Sequence, residues 1–219
     1  MFKTTKFRFT SLVPSPISTV GLNLWLKADS LSLSDSDAVT TWTDSSGQGN
    51  NVSQSNATYR PLYKTNIFNN KPALLFDGTD DALYGGNITG STCFIVGKYT
   101  ESTSSFQNYD GAFSVHPNYP VFTGTDGTSY WDAAIGTFYV NASQTNTLNL
   151  ANAFVSYVRT TQPVSNTIGP IRVGIDRDYT YLNRYWFGYI AEIISYNIVL
   201  SEVEAALIRD YLNAKYAIY

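Results

Sequence analysis

Short runs of apolar and β-branched residues, separated by turn-forming residues, recur along most of this chain from Gly21 to about Asn197. The clearest runs are Leu22–Lys27, Val39–Thr43, Ala73–Phe76, Thr92–Tyr99, Ala153–Arg159, Ile171–Ile175 and Tyr185–Tyr196. Glycine pairs and Asp-Gly steps between them tolerate positive φ and favour tight turns. Many short strands at this spacing are typical of an antiparallel sandwich, so the pattern predicts an all-β fold.

Composition supports one large β domain. Only 14% of the 219 residues are charged, whereas 15% are aromatic, and the chain contains 22 Ser, 24 Thr and 18 Asn. Ser, Thr and Asn favour turns and solvated strand faces over helices. All-β sandwiches commonly reach 200 residues as single domains, so we expect one domain from residue 21 to residue 219.

The first 20 residues differ from the rest and predict an extended N-terminal arm. Apolar and basic residues alternate from Lys6 to Thr10, and a connector containing Pro14 and Pro16 follows, which excludes helix and favours extended chain. A basic, strand-like arm is suited to adding a strand to a partner sheet or to lying in an acidic groove. The residues expected to anchor the protein in this way are Phe2, Lys6, Phe7, Arg8 and Phe9.

One segment near the C-terminus has a helical pattern. Ser201 and Glu204 form a capping box, in which each side chain accepts a hydrogen bond from a free backbone N–H at a helix start. A helix over residues 201–215 is therefore predicted, packed on the sandwich or against a neighbouring molecule. The apolar face expected for it contains Val203, Leu207, Ile208, Tyr211 and Leu212.

Charge and rare residues exclude several classes of function. With a net charge of -3, the chain lacks the excess of basic residues that is typical of nucleic-acid-binding proteins. Cys93 is the only cysteine, and a place in the core is expected for it. No run of 18 apolar residues and no signal peptide is recognisable, so neither membrane insertion nor export is expected.

Several motifs occur in an order that resembles a known family. The stretch 21–29 contains Trp25, the stretch 39–50 contains Trp42 and Asp44, the stretch 71–81 reads KPALLFDGTDD, and the stretch 187–201 reads FGYIAEIISYNIVLS. Together these resemble the laminin-G-like jelly roll of the concanavalin A-like lectin and glucanase superfamily, in the form found in phage virion and bacterial surface proteins. The resemblance implies a two-sheet antiparallel jelly-roll sandwich with the arm before it and the helix after it.

The resemblance does not extend to the catalytic strand of the glucanases. Those enzymes carry two carboxylates on one face of a strand, in an E-x-D-x-E pattern. The only glutamates here are Glu101, Glu192, Glu202 and Glu204, and their spacing does not fit. We therefore expect a protein without enzymatic activity.

Domains of this superfamily often hold a structural calcium ion, and no other cofactor is implied. The candidate ligands are Asp44, Asp77, Asp80 and Asp81. Because aspartates also stabilise turns by bonding to their own backbone, a purely structural role for these four is the competing interpretation.

Two aromatic segments are candidates for glycan or partner binding. The aromatic candidates are Tyr130, Trp131, Tyr179, Tyr181 and Tyr185. The polar residues beside them that offer hydrogen bonds to sugar hydroxyls are Asp176, Asp178, Asn183 and Arg184. The alternative is that these rings face the core or a subunit interface.

The hypothesis that unites these features is a non-enzymatic phage virion protein, serving as a capsid decoration or fibre-like subunit. It would be made in the host cytoplasm and displayed on the virion surface. Its partners would be other capsid or tail proteins, further copies of itself and, weakly, host-surface glycans. The alternative is a carbohydrate-binding lectin module of a tail fibre or bacterial surface protein. A third interpretation is a polysaccharide-cleaving enzyme that uses a pair of aspartates.

Overall fold

The computed structural model describes residues 17–100, 110–116, 121–123, 136–149, 152–160, 168–176 and 184–219. The strands are β1 (Leu22–Lys27), β2 (Thr41–Trp42), β3 (Val52–Ser53), β4 (Leu62–Phe68), β5 (Lys71–Asp77), β6 (Leu83–Thr89), β7 (Thr92–Tyr99), β8 (Gly111–Ser114), β9 (Phe122–Thr123), β10 (Gly136–Val140), β11 (Phe154–Thr160), β12 (Ile168–Val173) and β13 (Phe187–Tyr196). Helix α1 spans Glu202–Tyr216, and short 3-10 turns cover Ala28–Ser30 and Ala57–Tyr59. The predicted mostly-β fold with one C-terminal helix is confirmed.

Within the described residues, the larger sheet has seven strands, and β13 lies at its centre. Its order is β10-β11-β7-β13-β5-β4, and every pairing in it is antiparallel. The first half of β13 pairs with β5 and its second half with β1, while β7 follows its whole length on the other side. The strand nearest the start of the described chain therefore pairs with the last strand.

The smaller sheet has six strands in the part of the chain that the structure describes, in the order β2-β3-β6-β12-β8-β9, and its pairings are again antiparallel. Its inward side chains alternate with outward ones, as the period of a strand requires. In β6 and β12, for example, Leu83 and Val173 are fully buried, whereas the Tyr84 side chain on the opposite face is 37% exposed.

The space between the two sheets contains the first hydrophobic core, here called the inter-sheet core. Its largest members are Trp42, Phe76, Phe113, Phe122, Phe154 and Trp186. The predicted burial of Cys93 is confirmed, because its side chain is fully inaccessible within this core.

A second core, here called the helix-side core, lies between the other face of the larger sheet and α1. The larger sheet contributes Phe94, Val96, Tyr139, Tyr157, Ile194 and Tyr196, and α1 contributes Ala205, Ile208, Leu212 and Tyr216. Strands β7 and β13 are consequently buried on both faces, which explains their nearly continuous apolar sequences.

A β-bulge in β13 brings a charged group into the helix-side core. The register against β7 shifts between Ile190 and Glu192, so Ala191 and Glu192 both face the helix. The Glu192 carboxylate is fully buried and accepts hydrogen bonds from Lys215 Nζ and Tyr216 Oη, both at 2.7 Å, and from Trp25 Nε1. This buried network fixes the last turn of α1 against the larger sheet.

The predicted capping box is confirmed, and the helix begins and ends within one residue of the expected bounds. The predicted apolar face is partly wrong. The buried stripe consists of Ala205, Ile208, Leu212 and Tyr216, whereas Val203 and Leu207 are 71% and 55% exposed. The reason is rotational: Ala205 is fully buried in the helix-side core, and residues two positions before and after it lie on the opposite side of a helix.

Candidate functional site

The turn between β5 and β6, here called the aspartate turn, brings three carboxylates together. Asp77, Asp80 and Asp81 each offer an oxygen within 4.8 Å of the others. The Asp77 carboxylate accepts backbone N–H groups of Thr79 and Asp80, and the Asp81 carboxylate accepts the N–H of Asp77 at 3.0 Å. Gly78 adopts φ +75°, a conformation that most side chains avoid, and a Cβ there would lie 2.7 Å from Phe187 Cβ.

The electrostatics of this turn are unfavourable for negative charge. Burial, followed by repulsion from Asp77, raises the pKa of the Asp81 carboxyl to about 7, and burial with the Asp77 charge also raises the pKa of Asp80. Such a cluster suits a hard cation with oxygen ligands. It equally suits a turn stabilised by its own hydrogen bonds, because three of those bonds are present in the structure.

Asp44, the fourth candidate ligand, is not brought into this group among the residues that the structure describes. Its carboxylate instead accepts four hydrogen bonds, from the N–H groups of Trp25, Ser46 and Asn50 and from the Ser46 hydroxyl, all at 2.7–2.9 Å. It is 9% exposed. Its observed role is to close the loop that follows β2 and fasten that loop to β1.

A group of half-exposed tyrosines adjoins the aspartate turn. Tyr59 is 42% exposed, Tyr84 is 37% exposed and Tyr185 is half-buried; we call these three residues the tyrosine patch. Burial, the Asp80 carboxylate and the Tyr59 hydroxyl raise the pKa of Tyr185, and burial followed by Tyr185 raises that of Tyr84. These couplings place the three hydroxyls and Asp80 in one electrostatic neighbourhood.

Backbone contacts to neighbouring segments fix the position of each residue in the tyrosine patch. Tyr84 lies opposite Arg172 of β12, and the Tyr59 carbonyl accepts the N–H of Ala82, directly after the aspartate turn. Tyr185 forms isolated bridges with Gly111 and Ile175. Half-exposed rings beside carboxylate and guanidinium groups can stack on a sugar ring and hydrogen-bond its hydroxyls.

Asp176 and Arg184, expected to offer hydrogen bonds to sugars, bond to each other. The Arg184 Nη1 lies 2.7 Å from Asp176 Oδ2, and the Asp176 carboxylate is fully buried. The backbone N–H of Asp176 also donates to the Arg184 carbonyl. This pair fixes Arg184 beside Asp176 and so positions the neighbouring Tyr185.

Most of the predicted binding residues lie outside the described residues. Of the aromatic candidates, this holds for Tyr130, Trp131, Tyr179 and Tyr181, and of the arm it holds for Phe2, Lys6, Phe7, Arg8 and Phe9. Tyr185 is the aromatic candidate that the structure places, and it lies at the surface beside the aspartate turn. These binding assignments remain predictions.

Sequence reasoning missed two members of the tyrosine patch. Tyr84 was detectable, because it follows the apolar Leu83 in a strand-like stretch, where period-2 alternation predicts an outward side chain. Tyr59 lies in a 3-10 turn, and its approach to Tyr185 depends on tertiary pairing that no local pattern reveals.

In comparisons with known proteins, no family model and no curated protein matches this chain. Within the described residues, no helix is long and apolar enough to cross a membrane. A function for the chain therefore has to be argued from its own residues.

Proposed function

We propose that this chain is a non-enzymatic structural subunit of a phage virion, in which a laminin-G-like jelly roll is attached through the N-terminal arm. The order of its sequence motifs supports the jelly-roll assignment, as does a sandwich in which strands distant in sequence pair at the centre of a sheet. The virion is proposed because the chain combines a basic arm with a charge-poor, Ser/Thr/Asn-rich domain.

One geometric observation carries the proposal. Ile17, where the described chain begins, packs in the helix-side core near the end of β13, since Leu22 pairs there with Tyr196. The aspartate turn and Tyr185 lie at the start of β13, where Phe187 pairs with Asp77. Ten residues of strand separate the two ends by about 30 Å. A protein anchored at the arm would thus present the tyrosine patch on its far end.

The proposal of a non-enzymatic role is supported by the use of the buried acids. Glu192 and Asp176 form ion pairs with Lys215 and Arg184, and the Asp44 carboxylate closes a loop. Two further carboxyls are buried among the described residues: Asp81, which accepts a backbone N–H and is 6% exposed, and Asp110, which accepts a hydrogen bond from the Tyr99 hydroxyl. Each of these acids has a structural role in the fold.

Truncation before Ile17 tests the anchoring. The truncated chain keeps every described residue, so it should fold with an unchanged circular dichroism spectrum but fail to co-purify with phage particles from an infected host. The full chain with an exchange on the surface of the domain, Ile168→Lys, is the matched control. Normal incorporation of the truncated chain would contradict the proposal.

A weak glycan-binding role is the second candidate, and the tyrosine patch favours it. Stacking adds about 0.5–1.5 kcal/mol per ring, so single sites bind weakly and many copies on a particle bind firmly. Particles carrying Tyr84→Ala with Tyr185→Ala should lose retention on host cells, whereas Tyr211→Ala, on α1, should not affect it. Equal retention of all particles would remove this candidate, and turnover of host polysaccharide lost in Asp81→Asn would overturn the non-enzymatic assignment.

A further inference from the structure

Lys215, in the last turn of α1, contacts two carboxylates at once. Its Nζ lies 2.7 Å from Glu192 Oε2 and 3.1 Å from each of the two Asp29 carboxylate oxygens. Asp29 lies in the 3-10 turn that directly follows β1, and β1 pairs with β13 so that Lys27 is opposite Glu192. An amine, a carboxyl group and a second acid are thus brought together from three distant parts of the chain.

This group is largely shielded from water. The side chains of Lys215, Asp29 and Glu192 are 12%, 25% and 0% exposed. The Tyr216 ring lies beside the ammonium group, with Nζ 5.0 Å from the ring centroid. Tyr216 and Trp25 each donate a further hydrogen bond to the Glu192 carboxylate, so this acid is held in one position beside Lys215.

The pair of Lys64 and Asp35 provides a comparison within the same chain. Its Nζ–Oδ2 distance is also 3.1 Å, but its two side chains are 25% and 48% exposed. Among the residues that the structure describes, Lys64 forms an ion pair with this one carboxylate, and its other side-chain hydrogen bond goes to the Ser36 hydroxyl. Lower exposure and a second acid in contact with the nitrogen therefore distinguish Lys215.

The position of Lys215 relative to Asp29 suits attack on the carboxyl carbon. Because Nζ is equally distant from both Asp29 oxygens, it faces the carbon between them. The nitrogen–carbon separation that follows is about 3.0–3.5 Å, the range in which reacting atoms are poised to form a bond. Well-oriented groups of this kind reach effective concentrations of about 10⁵–10⁸ M, which favours a bond between them.

The charge on Lys215 means that such a reaction needs a proton acceptor. Burial lowers the pKa of Lys215, but the Glu192 and Asp29 carboxylates raise it overall, so the group begins as ammonium. An ammonium nitrogen cannot attack, because it has no free electron pair. The Glu192 carboxylate, at 2.7 Å, is placed to take up the proton.

We propose that Lys215 and Asp29 form an intramolecular isopeptide bond, assisted by Glu192. The Lys215 nitrogen forms a bond to the Asp29 carboxyl carbon, and one carbon–oxygen bond of Asp29 breaks. Two of the three ammonium protons pass through Glu192 to the departing oxygen, which leaves as water, and the third stays on the amide. Glu192 ends as a carboxylate, and no further reactant is needed.

The bond joins the end of α1 to the end of β1 and encloses most of the domain in one covalent ring. A link that closes so long a loop restricts the unfolded chain strongly. Because the bond forms within one chain, it is independent of the proposed anchoring by the arm, and its absence would leave that proposal unchanged.

The intact mass of the purified full chain, measured under denaturing conditions, tests the bond. The chain should be lighter than its sequence by one water, and tryptic digestion should yield a branched peptide that joins Asp29 to Lys215. An Asp-Gly step such as Asp77-Gly78 can also lose water by cyclising, so a mass loss mapped to such a step, without the branched peptide, would overturn the proposal. The full sequence mass after prolonged incubation of the folded protein would overturn it equally.

Two variants separate the roles of the reacting groups. Lys215→Arg keeps the positive charge but removes the attacking amine, so it should retain the full mass and migrate more slowly than the native chain on a denaturing gel. Glu192→Gln can still accept hydrogen bonds but takes up no proton, so cross-linking should slow by about 10²–10⁴-fold.

Lys64→Arg is the matched control, because it changes the lysine of the exposed pair, and it should lose one water as the native chain does. Circular dichroism shows whether each variant is folded. If folded Glu192→Gln cross-links at the native rate, the assistance by Glu192 is excluded. If Glu192→Gln does not fold, the masses of the native chain and of Lys215→Arg still decide whether the bond exists.

Discussion

The helix-side core and the turn between β5 and β6 each contain a buried carboxylate, but the two carboxylates have opposite electrostatic surroundings. On the helix side, Glu192 lies among Lys215, Tyr216 and Trp25, which neutralise its charge and satisfy its oxygens. At the edge of the inter-sheet core, Asp81 lies among other acids, and its pKa rises to about 7. The first arrangement keeps a charge by pairing it; the second favours the uncharged acid.

This contrast teaches that burial alone does not define the role of an acidic residue. Glu192 connects three elements of the fold, so its network specifies how α1 is seated. Asp81 closes a surface turn with one backbone hydrogen bond and retains a titratable proton. The helix-side carboxylate is therefore expected to control stability, and the Asp81 carboxyl to control its pH dependence.

Removal of Glu192 should have the largest effect. Glu192→Ala leaves the largely buried Lys215 ammonium without its main partner, so the free energy of unfolding should fall by about 3–5 kcal/mol in urea titration. Adding Lys215→Met should recover part of this loss, because the uncompensated charge disappears. An effect below 1 kcal/mol would mean that the network does not hold α1.

The pH dependence set by Asp81 should rank second. Its folded pKa of about 7 exceeds the usual value near 3.9, so the folded state binds more protons between these values. The free energy of unfolding should therefore decrease by about 2–4 kcal/mol as pH rises from about 4 to 7, and level off above that.

Asp81→Asn isolates this contribution. The amide oxygen still accepts the N–H of Asp77 but does not titrate, so the difference between the two proteins should follow the slope assigned to Asp81. The comparison is needed because burial lowers the pKa of His116, which gives a slope of opposite sign. If the aspartate turn binds calcium, added calcium should flatten the slope of the native protein only.

Tyr216→Phe should have a smaller effect within the helix-side core. The substitution removes one hydrogen bond to the Glu192 carboxylate without changing the ring packing against Phe68. Hydrogen bonds to charged groups contribute about 1.5–3 kcal/mol, so a loss of that size is expected in chemical denaturation. An unchanged midpoint would show that Lys215 and Trp25 satisfy the Glu192 carboxylate without Tyr216.

Tyr157→Phe should have the smallest effect and the opposite sign. In the described part of the chain, the buried Tyr157 hydroxyl has no hydrogen-bond partner, and burial raises its pKa to about 12. The ring stacks on Tyr139 with centroids 4.4 Å apart, which phenylalanine preserves. We expect a gain of up to about 1 kcal/mol in unfolding free energy, and a loss would indicate that the hydroxyl has a partner.

The sequence predicts the parts of the fold that depend on local signals and misses those that depend on contacts between distant elements. Short apolar and β-branched runs locate strands such as β1 and β7 at their observed bounds, and the capping box locates α1, because these signals are local. The bulge at Ala191 and the pairing of Glu192 with Lys215 depend on contacts between distant elements. The outward turn of Val203 and Leu207 likewise depends on how Ala205 meets the sheet.

For the candidate site, the sequence identified the aspartate turn but grouped Asp44 with it. That grouping followed from residue type alone, whereas the structure shows a loop-closing role for Asp44. The tyrosine patch was only partly predicted, since Tyr59, Tyr84 and Tyr185 come from three separate segments. Residues that come from distant segments have no characteristic spacing in the sequence. A single sequence therefore does not reveal the surface that they form.

The pairing of β1 with β13 has a consequence for how the chain folds. These strands are about as far apart in sequence as the described chain allows. Closing so long a loop costs conformational entropy before stabilising contacts can form. Until β13 is synthesised, β7 lacks a neighbour along one whole edge, and α1 is not yet available to cover its outer face. A growing chain therefore exposes its most apolar strands until their partners are made, so slow folding is expected to begin only after β13 and α1 have been translated.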